Sequence, residues 1–203
     1  MTDRAPSQTN TLIALILAGG QSSRMGEDKA SMLWDGIPLL QRVCNAATCC
    51  DSIYILTPWR DRYRPILNSE YTFLDESNPG QGALMAFAQG LEQIAQNPDW
   101  ILLLACDLPQ LDSKGLQRWI EQLNDVPPDT LAAVPFHNEF WEPLCGFYRP
   151  GARESLQDFI AGGGRSFQKW LSHLPAQPLT VSEEQRSMLL NCNSPQDLSR
   201  MPD

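Results

Sequence analysis

Leu12-Ile13-Ala14-Leu15-Ile16-Leu17-Ala18-Gly19-Gly20-Gln21-Ser22-Ser23-Arg24-Met25-Gly26-Glu27-Asp28-Lys29 is the stretch that decides how this chain reads. Its first six residues form an unbroken apolar run of strand length, which predicts a buried strand. The run empties into a loop of small residues. Gly19 and Gly20 carry no Cβ, so their amides can approach a ligand closely. Successive amides of this kind form a concavity for anions. Arg24 and Lys29 add positive charge to the same loop. The triphosphate tail of a nucleotide suits that combination; the plain alternative is a tight turn with solvated charges.

Two better-known phosphate loops are excluded by spacing. A P-loop needs Gly-x-x-x-x-Gly-Lys-Ser/Thr, but Arg24 and Met25 stand where Gly19 or Gly20 would require the second glycine. The dinucleotide fingerprint Gly-x-Gly-x-x-Gly is also missing, because Gly19 and Gly20 are adjacent and the next glycine is Gly26.

Working outward, residues 32–34 are a short apolar segment and Asp35-Gly36 a turn signal. Pro38 is expected in the first turn of a helix, with Leu39, Leu40, Val43, Cys44 and Ala47 as its buried stripe. Residues 52–57 read as a second strand, residues 60–67 as an irregular helix broken near Pro65, and residues 71–75 as a third strand. The loop 76–82 leads into a helix over 83–96, whose N-terminus is a second candidate surface for a nucleotide. Residues 100–106 are the most apolar strand, lacking the polar alternation of a half-exposed one. A helix is expected over 113–123, a fifth strand over 131–136, and an extended segment at one sheet edge over 141–148. Helices over 152–160 and 167–174 flank Gly162-Gly163-Gly164. Short strands are expected at 179–181 and 188–190, and a last helix at 195–201 behind the Ser194-Pro195 cap.

Strand and helix alternate, so the fold class is α/β: a three-layer α/β/α arrangement with a mostly parallel, Rossmann-like sheet. Residues 1–10 are polar and read as a disordered tail, and 11–203 as a single domain. Ligands of such sheets bind beyond the carboxyl ends of the strands, which would gather the loop after Leu17, Asp75 and Asp107 on one rim. A net charge of −9 and a pI near 4.7 disfavour nucleic acid and anionic membranes as partners. No signal peptide or membrane-length apolar run is visible, so a cytoplasmic location is expected. The six cysteines contain no Cys-x-x-Cys pair, and read as small buried residues rather than as disulfides or a zinc site.

Asp107 closes the most buried strand, and a rigid rim carboxylate suits Mg²⁺, which takes one or two carboxylates alongside water and phosphate oxygens. Helix capping or turn formation is its plain alternative. Asp75 could accept from a ribose hydroxyl or a base N–H, or be a loop aspartate. Asn191 and Asn193 could assist a metal or cap the last helix. Arg165 could reach a second, anionic substrate or remain solvated. Neither His137 nor His173 is expected at the rim, and no Gly-x-Ser-x-Gly elbow occurs. Phosphoryl chemistry with an already ionised acceptor requires alignment and charge neutralisation rather than a general base.

The loop Leu17-Ala18-Gly19-Gly20-x-Ser-x-Arg24-Met25-Gly26-x-Asp28-Lys29 resembles the signature of the molybdenum cofactor guanylyltransferase family. The resemblance runs through Asp75, Cys106-Asp107-Leu108-Pro109, Glu142-Pro143-Leu144-Cys145-Gly146-Phe147-Tyr148 and Asn191-Cys192-Asn193-Ser194-Pro195. It implies a nucleotidyltransferase that joins GTP to the molybdopterin cofactor, giving the guanine dinucleotide cofactor and pyrophosphate. It also implies site residues. Leu17, Ala18, Gly19, Lys29, Asp75 and Asp107 would contact the nucleotide, Asp107 would hold Mg²⁺, and Arg24, Lys29 and Asp107 would be catalytic. Another protein of the same pathway could deliver the cofactor. Family members can carry an asparagine after the second strand. Here Leu56-Thr57-Pro58 stands there, and either Thr57 replaces that contact or nothing does. The rivals are a cytidylyltransferase on the same cofactor, whose loop usually reads Ala-Ala-Gly, a sugar-1-phosphate nucleotidyltransferase, and a nucleotide-binding regulatory protein.

Overall fold

The computed structural model describes residues 10–20 and 28–192. The strands are β1 (Leu12–Leu17), β2 (Leu33–Trp34), β3 (Ile37–Pro38), β4 (Ser52–Thr57), β5 (Thr72–Asp75), β6 (Trp100–Ala105), β7 (Ala132–His137), β8 (Phe140–Trp141), β9 (Cys145–Tyr148) and β10 (Ala176–Leu179). The α-helices are α1 (Leu39–Ala46), α2 (Arg60–Tyr63), α3 (Ala83–Gln93), α4 (Ser113–Gln122), α5 (Ala152–Ala161), α6 (Phe167–Leu171) and α7 (Glu183–Met188).

The main sheet has the order β10-β7-β9-β6-β1-β4-β5, with β8 attached to β7. Strands β6, β1, β4 and β5 are mutually parallel, as are β7 and β10, and β9 runs antiparallel between β6 and β7. The expected mostly parallel sheet with helices on both faces is therefore present.

Pleating sends alternate side chains of a strand to opposite faces, and both faces of β1 are covered. Leu12, Ala14 and Ile16 join a core with α1 and α4, through Leu40, Val43, Leu116 and Trp119. Ile13, Leu15 and Leu17 join a second core with α3, α5 and α6, through Phe87, Leu156 and Trp170. β6 divides in the same way, with Trp100, Leu102 and Leu104 on one side and Ile101 and Leu103 on the other. Hence neither strand shows polar alternation.

Register makes the rim level. Leu17 pairs with Leu56 and with Ala105, while Thr57 pairs with Asp75. The chain therefore leaves β1, β4, β5 and β6 at one height.

Several expectations are corrected. The segment 141–148 is not at an edge: β9 is central, and Cys145, Gly146, Phe147 and Tyr148 are all buried. A tight return with Cys145 N–H donating to the Glu142 carbonyl aims it back between two strands, which a short apolar run cannot disclose. Residues 188–190 are not a strand. Met188 ends α7, which opens with a capping box between Ser182 and Gln185. That Ser-x-x-Gln signal was present in the sequence. Pro38 ends β3 and precedes α1 rather than lying within it. Strand β10 lies at 176–179 instead of 179–181. The helix expected at 195–201 lies outside the described residues, as does the expected tail except Asn10. Among the described residues, no helix is long and apolar enough to cross a membrane.

Leu103 is fully buried in the central sheet. Leu103→Ala is expected to lower the unfolding free energy by about 3 kcal/mol, read as a lower urea midpoint at an unchanged slope.

Candidate nucleotide site

The strand ends enclose a cleft of about 450 Å³ whose walls include Gly19, Gly20, Lys29, Glu76, Ala83 and Asp107. Each wall is placed by a specific contact. Ala18 N–H donates to the Leu56 carbonyl at 2.9 Å, and the Thr57 hydroxyl donates to the Ala18 carbonyl at 2.9 Å. Cys106 N–H donates to the Leu17 carbonyl at 3.3 Å. Both polar backbone groups of Ala18 are thus held inside the protein, so what it offers a ligand is its methyl. Among the described residues, no hydrogen bond engages the Gly19 and Gly20 amides, which leaves both as donors on the cleft wall. Thr57 is buried, and its hydroxyl also accepts from Trp59 N–H. Both of these contacts are internal, and they brace the loop.

Lys29 Nζ lies 3.1 Å from Asp107 Oδ2, and both side chains are partly exposed to the cleft. The two expected residues are therefore together. Lys29 opens a short 3₁₀ turn, Lys29–Ser31, capped by the preceding Asp28. Asp107 is anchored from the far end of the chain, where Cys192 N–H donates to its carbonyl at 2.9 Å. This sets Asn191 near the same loop. Asn193 and Arg24 lie outside the described residues.

Asp75 is exposed and does not line the cleft; its backbone is pinned by Gln93 of α3. At this strand end the acid that faces the cleft is its neighbour Glu76, which sequence reasoning missed. The signal was available: if Leu74 points inward, period two sends Glu76 inward and Asp75 out. Glu76 is 6% exposed, and its Oε2 is buried without a hydrogen-bond partner. Burial raises its carboxyl above the usual range. It presses on Gly19 so closely that a Cβ there would meet Oε2 at 1.3 Å. A buried carboxylate with an unused acceptor is costly unless a donor arrives.

The N-terminus of α3 also reaches the cleft, through Gly82, Ala83 and Ala86. Gly82 precedes the helix at φ +91° with no side chain capping it, which leaves donors of the first turn toward the ligand space. Cys106 lines the cleft too, but burial pushes its thiol well up, so it is a neutral wall and no nucleophile.

His137 corrects another expectation. β7 runs parallel to β6, so its last residue lies at the same rim. His137 Nε2 sits 3.0 Å from Glu142 Oε1. A second cavity of about 290 Å³ is lined by Glu142, with Leu108, Trp141, Gln168 and Asn191 among its other walls, and it shares Leu144 with the main cleft. His173 is exposed. Arg165 is exposed and donates to the carbonyls of Ile160 and Gly164, so it closes the end of α5. All six cysteines are free thiols.

A parallel sheet whose strand ends hold open amides, a lysine–aspartate pair and a helix N-terminus defines a nucleotidyltransferase-type α/β protein. The chain belongs to the MobA-like NTP transferase domain family, whose model matches residues 14–177. A Nostoc protein called probable molybdenum cofactor guanylyltransferase is 50% identical over 191 residues, covering 94% of this chain and 90% of that one. A Synechococcus elongatus protein of the same name is 46% identical over 187 residues, covering 91% and 94%. Among solved structures, the molybdopterin-guanine dinucleotide biosynthesis protein A of Archaeoglobus fulgidus shares the fold with a TM-score of 0.74 at 20% identity, over 93% of this chain and 96% of that one. The 4-diphosphocytidyl-2C-methyl-D-erythritolsynthase of Anaerococcus prevotii also shares it, with a TM-score of 0.71 at 9% identity over 95% and 97%.

The fit between Gly19 and Glu76 is directly testable. Gly19→Ala is expected to lose about 1–3 kcal/mol of stability by overpacking, and Glu76→Ala in the same chain to recover most of it in thermal melts.

Proposed function

We propose that this chain transfers GMP from GTP to the terminal phosphate of the molybdopterin cofactor, yielding the guanine dinucleotide cofactor and pyrophosphate. The names of relatives near 50% identity support the reaction. The observation that carries the choice of base is Glu76. Guanine presents two adjacent donors, N1–H and the 2-amino group, and a carboxylate accepts both. Cytosine and adenine each present an amino donor but no ring N–H beside it, so they would leave one oxygen of the carboxylate unpaired where guanine fills both.

In this reading the triphosphate lies along the Gly19 and Gly20 amides and against Lys29. An acceptor phosphate oxygen attacks the α-phosphorus, a new P–O bond forms, and the α–β bridging bond breaks. Pyrophosphate leaves with the bonding electron pair. Lys29 and Arg24 offset the charge gathering on it. No side chain has to remove a proton, because the acceptor phosphate is already ionised. Asp107 is the residue that would hold Mg²⁺. It stands at the rim beside Lys29, and among the described residues no group of three metal-ligating side chains gathers. One carboxylate, with waters and substrate phosphates completing the shell, is a donor set that Mg²⁺ accepts. When bound, the ion would neutralise phosphate charge. The second cavity, which shares Leu144 with the cleft as a wall, is the space we assign to the acceptor's ring. A cytoplasmic location suits six free thiols.

GTP with Mg²⁺ is expected to raise the melting temperature more than CTP or ATP; a CTP preference overturns the guanylyl assignment. Glu76→Gln should erase much of that selectivity. It should also remove a slope in the stability of the unliganded protein. Because burial raises the Glu76 carboxyl, its contribution is present below the ordinary glutamate pKa and is lost as pH rises through the raised value. Asp107→Asn should lower turnover by about 10²–10³-fold while melting normally, measured by mass detection of the dinucleotide product.

A further inference from the structure

The segment that follows β4 holds both ends of the signature loop. At the near end, Trp59 N–H and Thr57 Oγ1 form a relay onto the Ala18 carbonyl, at 3.1 and 2.9 Å. At the far end lies Asp28, whose side chain is only 9% exposed. Four donors meet its carboxylate. Tyr63 OH reaches Oδ1 at 2.8 Å and Arg62 Nε reaches Oδ2 at 3.2 Å. Ala30 N–H reaches Oδ1 at 3.2 Å and Ser31 Oγ reaches Oδ2 at 2.7 Å. A carboxylate this secluded is tolerated because its lone pairs are filled. Two of the four donors come from α2, and two from the 3₁₀ turn that begins with Lys29.

We propose that Tyr63, seconded by Arg62, is the positioning residue for Lys29: it locks Asp28, and through it the turn that presents the Lys29 ammonium to Asp107 and the triphosphate. Tyr63 suits the task. It is fully buried, its ring sits edge-on to Trp59 at 6.2 Å, and it borders the cleft itself. Burial beside Asp28 pushes its phenol well above the ordinary range, so the proton that Asp28 accepts stays in place. Without that hydroxyl, Asp28 Oδ1 keeps only the Ala30 amide, and the carboxylate is drawn toward Arg62, whose side chain is 55% exposed. The turn then loses its fixed seat, and Lys29 loses its aim.

This inference rests on the triphosphate reading of the cleft, and a double-mutant cycle separates the two. Affinities for GTP with Mg²⁺ and for inorganic pyrophosphate are measured by calorimetry on the full chain, for wild type, Tyr63→Phe, Lys29→Ala and the double variant. Tyr63→Phe is expected to weaken both ligands about fivefold to tenfold when Lys29 is present, and less than about twofold when Lys29 is alanine. An equal loss in both backgrounds, or no loss in either, overturns the proposal. Arg62→Gln, at an exposed site, repeats the cycle with a smaller loss of about twofold to threefold, and it decides the matter if Tyr63→Phe does not fold. If wild type binds neither GTP nor pyrophosphate, the functional reading falls first. If wild type binds and the cycle is additive, only the positioning role falls.

Discussion

Covering both faces of a strand leaves it nowhere to hold a polar ligand except at its end. β1 and β6 are buried along their lengths on two separate cores, so charges and open amides are displaced to the strand ends. The level register of four parallel strands turns that displacement into a site. Gly19, Lys29, Glu76 and Asp107 are far apart in sequence, yet they face one cleft because the chain leaves each strand at the same height. The Lys29–Asp107 contact is the local expression of this constraint: a cation delivered after one strand meets an anion delivered after its neighbour.

Much of this was legible in the sequence because it depends on residue type and spacing. An apolar run ending in Gly-Gly, and a second ending in Asp-Leu-Pro, already imply two neighbouring rim elements. Lys29 and Asp107 come together as read. What could not be read depended on directions and returns. β9 lies in the middle of the sheet because of one tight return at Glu142, and nothing in Cys-Gly-Phe-Tyr distinguishes a central strand from an edge. The same insertion sets β7 parallel to β6 and brings His137 to the rim, against expectation. The acid beside the ligand space proved to be Glu76 and not Asp75, a one-residue matter of pleat that changes which face a side chain serves. Ala18 was read as a nucleotide contact, and the sequence could not disclose that Leu56 and Thr57 already occupy its backbone.

The fold by itself does not choose the base. A cytidyl-named protein at 9% identity overlays nearly as well as a guanine-named one at 20%. Selection has to come from side chains that the common backbone leaves open. Glu76 is the candidate that this chain supplies, a carboxylate seated against a glycine so tightly that the smallest side chain there would displace it. The chemistry asks less of the protein than the choice of base does. With an ionised acceptor, alignment and countercharge suffice, which is why a cleft without a histidine and with a neutral cysteine remains a credible place for phosphoryl transfer.

The central position of β1 also shapes how the molecule comes into being. Leu12 pairs with Ser52's neighbourhood on one side but with Trp100 on the other, a closure of nearly half the chain that must be achieved before the contact rewards it. β1 takes its place only once β6 has joined it, and the Asp107 loop is tied down only when Cys192 reaches it from 85 residues further along. A partly folded chain in which β1 and β6 are still apart therefore holds the glycine loop without its opposing carboxylate, so the cleft exists only after the long closure.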